Sequence, residues 1–187
     1  MYPNGSLILS GSTLYGMAYQ GGANNDGTIF SYNTSTSTFT TLHSFAGTSD
    51  GMYPNGSLIL SGSTLYGMAS QGGANAGGVI FSYNTSTSTF TTLYSFTGGN
   101  DGSYPQGSLV LSSGMLYGTA TAGGANGGGT IFSYNISTST LTTLYSFADA
   151  GDGGNSNGSL ILSGSTLYGS ADYGGPTGEG TIFEFGL

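Results

Sequence analysis

The chain repeats itself every 51 residues. Tyr2-Pro3-Asn4-Gly5-Ser6-Leu7 returns as Tyr53-Pro54-Asn55-Gly56-Ser57-Leu58 and again as Tyr104-Pro105-Gln106-Gly107-Ser108-Leu109. A fourth copy starts at Asn157-Gly158-Ser159-Leu160 and runs to Leu187. Residues 1–51 and 52–102 differ at only eight positions, with no insertion or deletion. A fixed period near 50 marks a repeat architecture, in which each unit needs its neighbours to bury its apolar faces. The 187 residues form one repeat domain of repeats 1–51, 52–102 and 103–153 and a partial repeat 154–187. Near-copies supply like groups at several places, whereas a catalytic site needs unlike groups converging at one. The periodicity points to a scaffold, a binding module or an assembly unit, and away from an enzyme.

Composition narrows the partners. Glycine and proline make up about a fifth of the chain, near the level at which an aperiodic sequence reads as disordered. Strict spacing of the glycines between apolar runs, with 13% aromatic residues, argues for order. Lysine and arginine are absent, against eight acids. Nothing here can neutralise phosphates, so nucleic acid and anionic membrane surfaces are not expected partners. Cysteine is absent, which removes disulfides and thiolate metal sites. No apolar run is long enough for a membrane-spanning helix, so no membrane insertion is expected. Met1 aligns with Met52 inside the repeat, so the chain reads like a piece of something longer.

Each unit reads as four short strands: residues 6–9, 13–18, 28–32 and 38–45 in the first copy, separated by turns rich in Gly, Ser and Asn. No window carries a helical period. Apolar residues point to both sides, Leu7 and Leu9 opposite Ile8, and Phe30 and Tyr32 opposite Ile29. Sheets covered on both faces look like this, and a propeller blade between two neighbours is such a sheet. The expectation is an all-β chain, a four-bladed β-propeller of 51-residue four-stranded repeats. The last blade lacks one strand, and the blades close into one ring.

Leu14-Tyr15-Gly16, Gly21-Gly22-Ala23-Asn24, Gly27-Thr28-Ile29-Phe30, Thr41-Leu42-His43-Ser44-Phe45 and Asp50-Gly51 together resemble the GloVer tandem repeat of bacterial secreted and surface proteins. The pattern recurs from Leu65, Leu116 and Leu167, so the resemblance covers essentially the whole chain. The stretch from Tyr32-Asn33 to Thr38-Phe39 is also similar to the end of a kelch blade, with Phe39, Phe90 and Leu141 where kelch usually has Trp. The resemblance implies an extracellular β-propeller of undefined activity.

In a four-stranded antiparallel blade, successive connections alternate between the two ends of the sheet. Seven of the eight acids, Asp26, Asp50, Asp101, Asp149, Asp152, Asp172 and Glu179, fall on the end shared by the strand two–three loop and the inter-blade loop. Asp50, Asp101 and Asp152 are the candidate metal ligands, with Ca²⁺ as the ion, because carboxylates and loop carbonyls are suitable oxygen donors. The competing reading is that recurrent Asp-Gly makes turns. Tyr19, Asp172 and Tyr173 are candidate carbohydrate-binding residues on the same rim. His43, the only histidine, is replaced by Tyr94 and Tyr145 in the next copies, which suits packing better than catalysis. Asn4, Asn33, Asn55, Asn84, Asn135 and Asn157 begin acceptor-type sequons.

Function follows as an expectation from these features. The leading reading is an extracellular structural repeat protein that assembles with itself, as a filament or a surface-layer subunit. The unpaired edge of the last blade and the absence of guarding lysines are the reasons. The alternative is a lectin-like carbohydrate-binding propeller module. No catalytic residue and no cofactor is assigned.

Overall fold

The computed structural model describes residues 1–148 and 151–187. Every regular element among them is a β-strand, and the strands fall into four antiparallel sheets. Blade 1 is β1 (Tyr2–Ser10), β2 (Thr13–Gln20), β3 (Thr28–Asn33) and β4 (Thr38–Ser44). Blade 2 is β5 (Met52–Ser61), β6 (Thr64–Gln71), β7 (Val79–Asn84) and β8 (Thr89–Ser95). Blade 3 is β9 (Ser103–Ser112), β10 (Met115–Ala122), β11 (Thr130–Asn135) and β12 (Thr140–Ser146). Blade 4 has three strands, β13 (Ile161–Ser163), β14 (Thr166–Ala171) and β15 (Thr181–Gly186). Within each sheet the strands lie in chain order, so every connection is a hairpin. These are the blades of a β-propeller, the last lacking its fourth strand.

Local chemistry sets the connections. At the strand three–four tip, Asn33 Oδ1 accepts the amides of Ser35 and Thr36 at 2.9 and 3.1 Å, and Asn84 and Asn135 do the same one and two repeats on. This is the asparagine turn that mimics a backbone turn. Thr34 then donates its amide and hydroxyl to the Ser12 carbonyl, tying the tip to the strand one–two turn.

The first strand of blades 1 to 3 is longer than its apolar run. It begins near the Tyr-Pro pair and passes through a bulge, between Asn4 and Ile8 in β1. The bulge glycine explains itself by contact. A Cβ on Gly56, at φ +82°, would come within 1.8 Å of the Gly107 carbonyl oxygen, and one on Gly5 within 1.9 Å of that of Gly56. The innermost strands approach backbone to backbone here, and only glycine permits it. A serine ladder runs alongside. The Ser6 amide donates to Ser57 Oγ at 2.7 Å, the Ser57 amide to Ser108 Oγ at 2.8 Å, and the Ser108 amide to Ser159 Oγ at 3.0 Å.

The core lies between the blades. Met17, Ile29 and Phe45 of blade 1 pack on Leu58, Leu65, Val79 and Phe81 of blade 2. Met68, Ile80 and Phe96 of blade 2 meet Leu109, Leu116 and Phe132 of blade 3. Ile131 and Phe147 of blade 3 meet Leu160 and Leu167 of blade 4. Each seam joins one face of a blade to the other face of the next, so blades 2 and 3 are covered on both sides.

Blades 1 and 4 are not, and the closed ring expected from the sequence is not what these residues build. Leu7 and Leu9 are 53% and 62% exposed on blade 1, and Ile161 and Ile182 are 67% and 84% exposed on blade 4. No core cluster among the described residues joins the two. The four blades form an arc with two open faces. The repeat makes each blade complementary to the next, but the rotation per blade is a property of the seams that the apolar pattern does not encode.

Candidate functional site

The two ends of the blades divide as the alternation of hairpins requires. Strand two–three loops and inter-blade loops meet at one end, where the Tyr53 amide donates to the Asp26 carbonyl and the Gly73 amide to the Gly47 carbonyl. Asp26, Asp50, Asp101, Asp152, Asp172 and Glu179 are on this rim, and Asp149 lies outside the described residues.

Each Asp-Gly aspartate closes its own turn. Asp50 accepts the Ala46 amide at 3.0 Å and the His43 ring nitrogen at 2.9 Å. Asp101 accepts the Thr97 amide at 2.7 Å and the Tyr94 hydroxyl at 2.9 Å. Asp152 accepts the Ala148 amide at 2.9 Å and the Tyr145 hydroxyl. The following glycine, Gly51 at φ +93°, has its α-carbon so close to blade 2 that a Cβ would sit 2.7 and 2.8 Å from Val79 and Ala69. His43 and tyrosine interchange because each offers a ring donor to the aspartate seven residues on, and each ring packs edge-on against the phenylalanine two residues on. That constant spacing of seven is visible in the sequence, and it is the signal by which His43 could have been linked to Asp50.

The electrostatics follow from this geometry. Burial lowers the His43 pKa, outweighing the support of Asp50. Burial and the Asp101 carboxylate push the Tyr94 phenol up to about 12. Burial works to raise the Asp101 carboxyl, but hydrogen bonds from Thr97 and Tyr94 bring it below its ordinary value. The hydrogen bond to Asp152, and then burial, raises the Tyr145 phenol. The three aspartates sit in separate turns. Among the described residues no three His, Cys, Asp or Glu side chains gather into a group that could hold a metal ion.

The other candidates are also dispersed. Tyr19 is stacked on Tyr53, with ring centroids 4.8 Å apart. Tyr173 is 59% exposed on blade 4, and its neighbour Asp172 accepts from the Asn157 amide group at 2.6 Å. Apart from Asn157, which pairs with Asp172, the sequon asparagines separate into two kinds. Asn4 donates to Asn55 at 3.0 Å and Asn55 to Gln106 at 3.4 Å, in the inner ladder beside the serines. Asn33, Asn84 and Asn135 hold the outer tips through Oδ1.

The open faces are the larger feature. Blade 1 presents Leu7, Leu9 and Phe39, the counterparts of Leu58, Leu60 and Phe90 in the first seam. Blade 4 presents Ile161, Tyr168 and Ile182, the counterparts of Ile8, Tyr15 and Ile29 on the other side of that seam. The two exposed surfaces are therefore the two halves of the contact the chain makes internally.

The model of the Gloeobacter/Verrucomicrobia repeat matches residues 1–184. The chain belongs to this repeat family. No curated protein sequence matches it. Its structural neighbours are β-propeller proteins. A chain of the nidogen/laminin complex superposes with a TM-score of 0.64 at 15% identity, covering 100% of this chain and 60% of that one. TolB from Acinetobacter baumannii superposes at 0.61 and 15% identity, covering 100% and 41%. The extracellular domain of a putative hybrid two-component system from B. thetaiotaomicron gives 0.64 and 16% identity, covering 97% and 20%. At such identities the likeness is one of fold. The repeat chain spans three fifths or less of each neighbour.

Proposed function

We propose that this propeller repeat domain is an extracellular structural unit that assembles with itself through its open blade faces. One observation carries the reading: residues that make the internal seams recur, exposed, on the outer faces of blades 1 and 4. A soluble chain rarely leaves such a contiguous apolar surface without a partner. Contact between the blade 4 face of one copy and the blade 1 face of the next extends the arc. The Ser159 amide then reaches Ser6 Oγ of the following copy, as the Ser108 amide reaches Ser159. A heterologous contact of this kind closes as a ring or continues as a filament, according to its rotation. Extracellular placement is supported by the secreted and surface proteins that the repeat resembles.

Two variants test it. Leu7→Asp blocks one face and Ile182→Asp the other. By light scattering the wild type grows with concentration, each variant alone stays monomeric, and an equimolar mixture forms only a 1:1 dimer. A wild type that is monomeric at every concentration sinks the proposal. Electron microscopy then separates rings from filaments.

A second reading, carbohydrate binding at the rim, is favoured by the exposed Tyr173, the residue following Asp172, whose carboxylate pairs with Asn157. A glycan array probed with and without Ca²⁺ tests it, and silence in both conditions removes it.

A further inference from the structure

Between blades 3 and 4 lies an open slot that the earlier seams fill. It is a cavity of about 340 Å³ lined by Ile131, Tyr145, Phe147, Phe183, Glu184 and Phe185, among others. Two repeats earlier the equivalent residues are Ile29, His43, Phe45, Phe81, Ser82 and Tyr83, and there the space belongs to Phe90. The Phe90 ring lies 3.9 Å from His43 in parallel stacking, 5.4 Å from Phe81 and 5.6 Å from Phe45. In the second seam Leu141 packs at the same position. Both side chains come from the fourth strand of their blade, which blade 4 lacks.

The strand edge beside the slot is open as well. In blades 1 to 3 the third strand pairs on its outer side with the fourth, with Tyr32 opposite Phe39, Tyr83 opposite Phe90 and Tyr134 opposite Leu141. The corresponding edge of β15 has no partner among the described residues, and β4, β8 and β12 are each committed to their own blade. A row of free backbone donors and acceptors beside an anchoring pocket is the arrangement by which sheets take up an extended peptide.

We propose that the edge of β15 and this slot bind an extended, threonine-rich strand. It adds antiparallel to β15 and seats a phenylalanine or leucine opposite Phe185. The three internal fourth strands define the chemistry: Thr-Phe-Thr-Thr-Leu-His-Ser, Thr-Phe-Thr-Thr-Leu-Tyr-Ser and Thr-Leu-Thr-Thr-Leu-Tyr-Ser. One residue breaks the repeat inside the site. Glu184 stands where the other copies have Ser31, Ser82 and Ser133, and in the register of blade 2 it faces the position of Thr91. A lysine at that position of the ligand gains an ion pair that no residue of this chain can supply, since lysine and arginine are absent.

This site does not depend on self-association, and a dilute monomer suffices to test it. The probe is a labelled synthetic peptide of residues 87–95, titrated into the full chain by fluorescence anisotropy. Amide hydrogen exchange is followed in parallel. Saturable binding is expected, with new protection confined to residues 181–186. Changing Phe90→Asp within the peptide, or Tyr145→Ala at the exposed wall of the slot, weakens binding roughly ten- to a hundredfold, as expected for loss of a buried aromatic contact. A Thr91→Lys peptide binds about two- to fivefold tighter, as a favourable cross-strand pair would, and Glu184→Ser abolishes that gain. Absence of binding overturns the proposal. So does equal binding of the Phe90→Asp peptide, or protection that appears instead on the outer edges of β4, β8 or β12.

Discussion

Isoleucine stands at one place in all four repeats, and its surroundings differ completely between the middle of the arc and its end. Ile29, Ile80 and Ile131 are at most 1% exposed, because each has the next blade laid over it. Ile182 has the same strand position, between the glycine loop and a phenylalanine, and is 84% exposed. Leucine makes the converse comparison: Leu58, Leu109 and Leu160 are at most 5% exposed, and Leu7 is 53% exposed. The burial of a side chain in a repeat protein is therefore decided by its neighbour unit, and identical local sequence carries no information about it. In such an array stability is approximately a sum of unit terms and interface terms, so the internal seams carry the stability and the end faces add little to it.

The largest effect expected from that division is on the backbone contact. Gly56→Ala places a methyl group 1.8 Å from the Gly107 carbonyl oxygen at a φ of +82°, and the blades must separate to relieve it. A loss of about 4 kcal/mol or more, or failure to fold, is expected. Gly158→Ala at the open end meets only the Ser170 hydroxyl, at 3.1 Å, and is expected to be tolerated. Urea denaturation of the two variants makes the comparison directly. Equal destabilisation would show that the end of the arc is as closely packed as its middle.

Ile80→Ala and Ile182→Ala ask the same of side chains. The first empties part of the seam between blades 2 and 3 and is expected to cost about 2–5 kcal/mol. The second removes a surface methyl cluster and stays within about 0.5 kcal/mol in dilute monomer. The same Ile182→Ala variant is expected to weaken self-association. A stability loss at Ile182 comparable to that at Ile80, measured at low concentration, would place a partner blade on it within one chain.

How far all this could be read from residues alone follows the same line between units and seams. The four strands per blade were legible, because β-branched and aromatic runs bounded by Gly-Ser and Asn turns leave few other assignments. The extension of β1 back to Tyr2 was not, since a proline followed by a glycine reads as a turn and the bulge that accommodates both depends on the neighbouring blade. Asp50-Gly51 was legible as a turn, yet its partnership with His43 crosses seven residues and belongs to no standard motif. The open faces were illegible in principle, as Ile29 and Ile182 show. What covers them depends on a rotation between blades that no single repeat contains.

Within the ladder at the inner strands the expected effects are smaller. Asn55 accepts from Asn4 at 3.0 Å and from the Gly56 amide at 2.8 Å, and donates to Gln106 at 3.4 Å. Asn55→Ala is expected to cost about 1–3 kcal/mol, because it strips partners from half-buried groups. Asn4→Ala, at the open end with a single such bond, is expected to cost about 1 kcal/mol or less. A reversed order would mean that the ladder is held from the end and not from the seams.

The smallest effects distinguish one seam from another, through proton binding at His43 and Tyr94. Burial depresses the His43 pKa, so the folded chain resists a proton that the unfolded chain accepts at its ordinary value of about 6.5. Its contribution to stability is complete above that value and declines as pH falls below it. Tyr94 has the opposite sign. Its folded pKa is raised to about 12, so the unfolded chain loses the proton first, and stability declines as pH rises from about 10 toward 12. The His43→Tyr substitution installs the residue that the next two copies carry, and it is expected to remove the decline that begins as pH falls below about 6.5. Asp101 and Asp152, held below their ordinary values by hydrogen bonds, lose their contribution only at lower pH and leave that window to His43. Tyr94→Phe is expected to reduce the alkaline decline, leaving the part that Tyr145 contributes in the same direction. Denaturation midpoints across the pH range read both. An acid-side decline that survives in His43→Tyr would place the titrating group elsewhere and leave the first seam no different from the second.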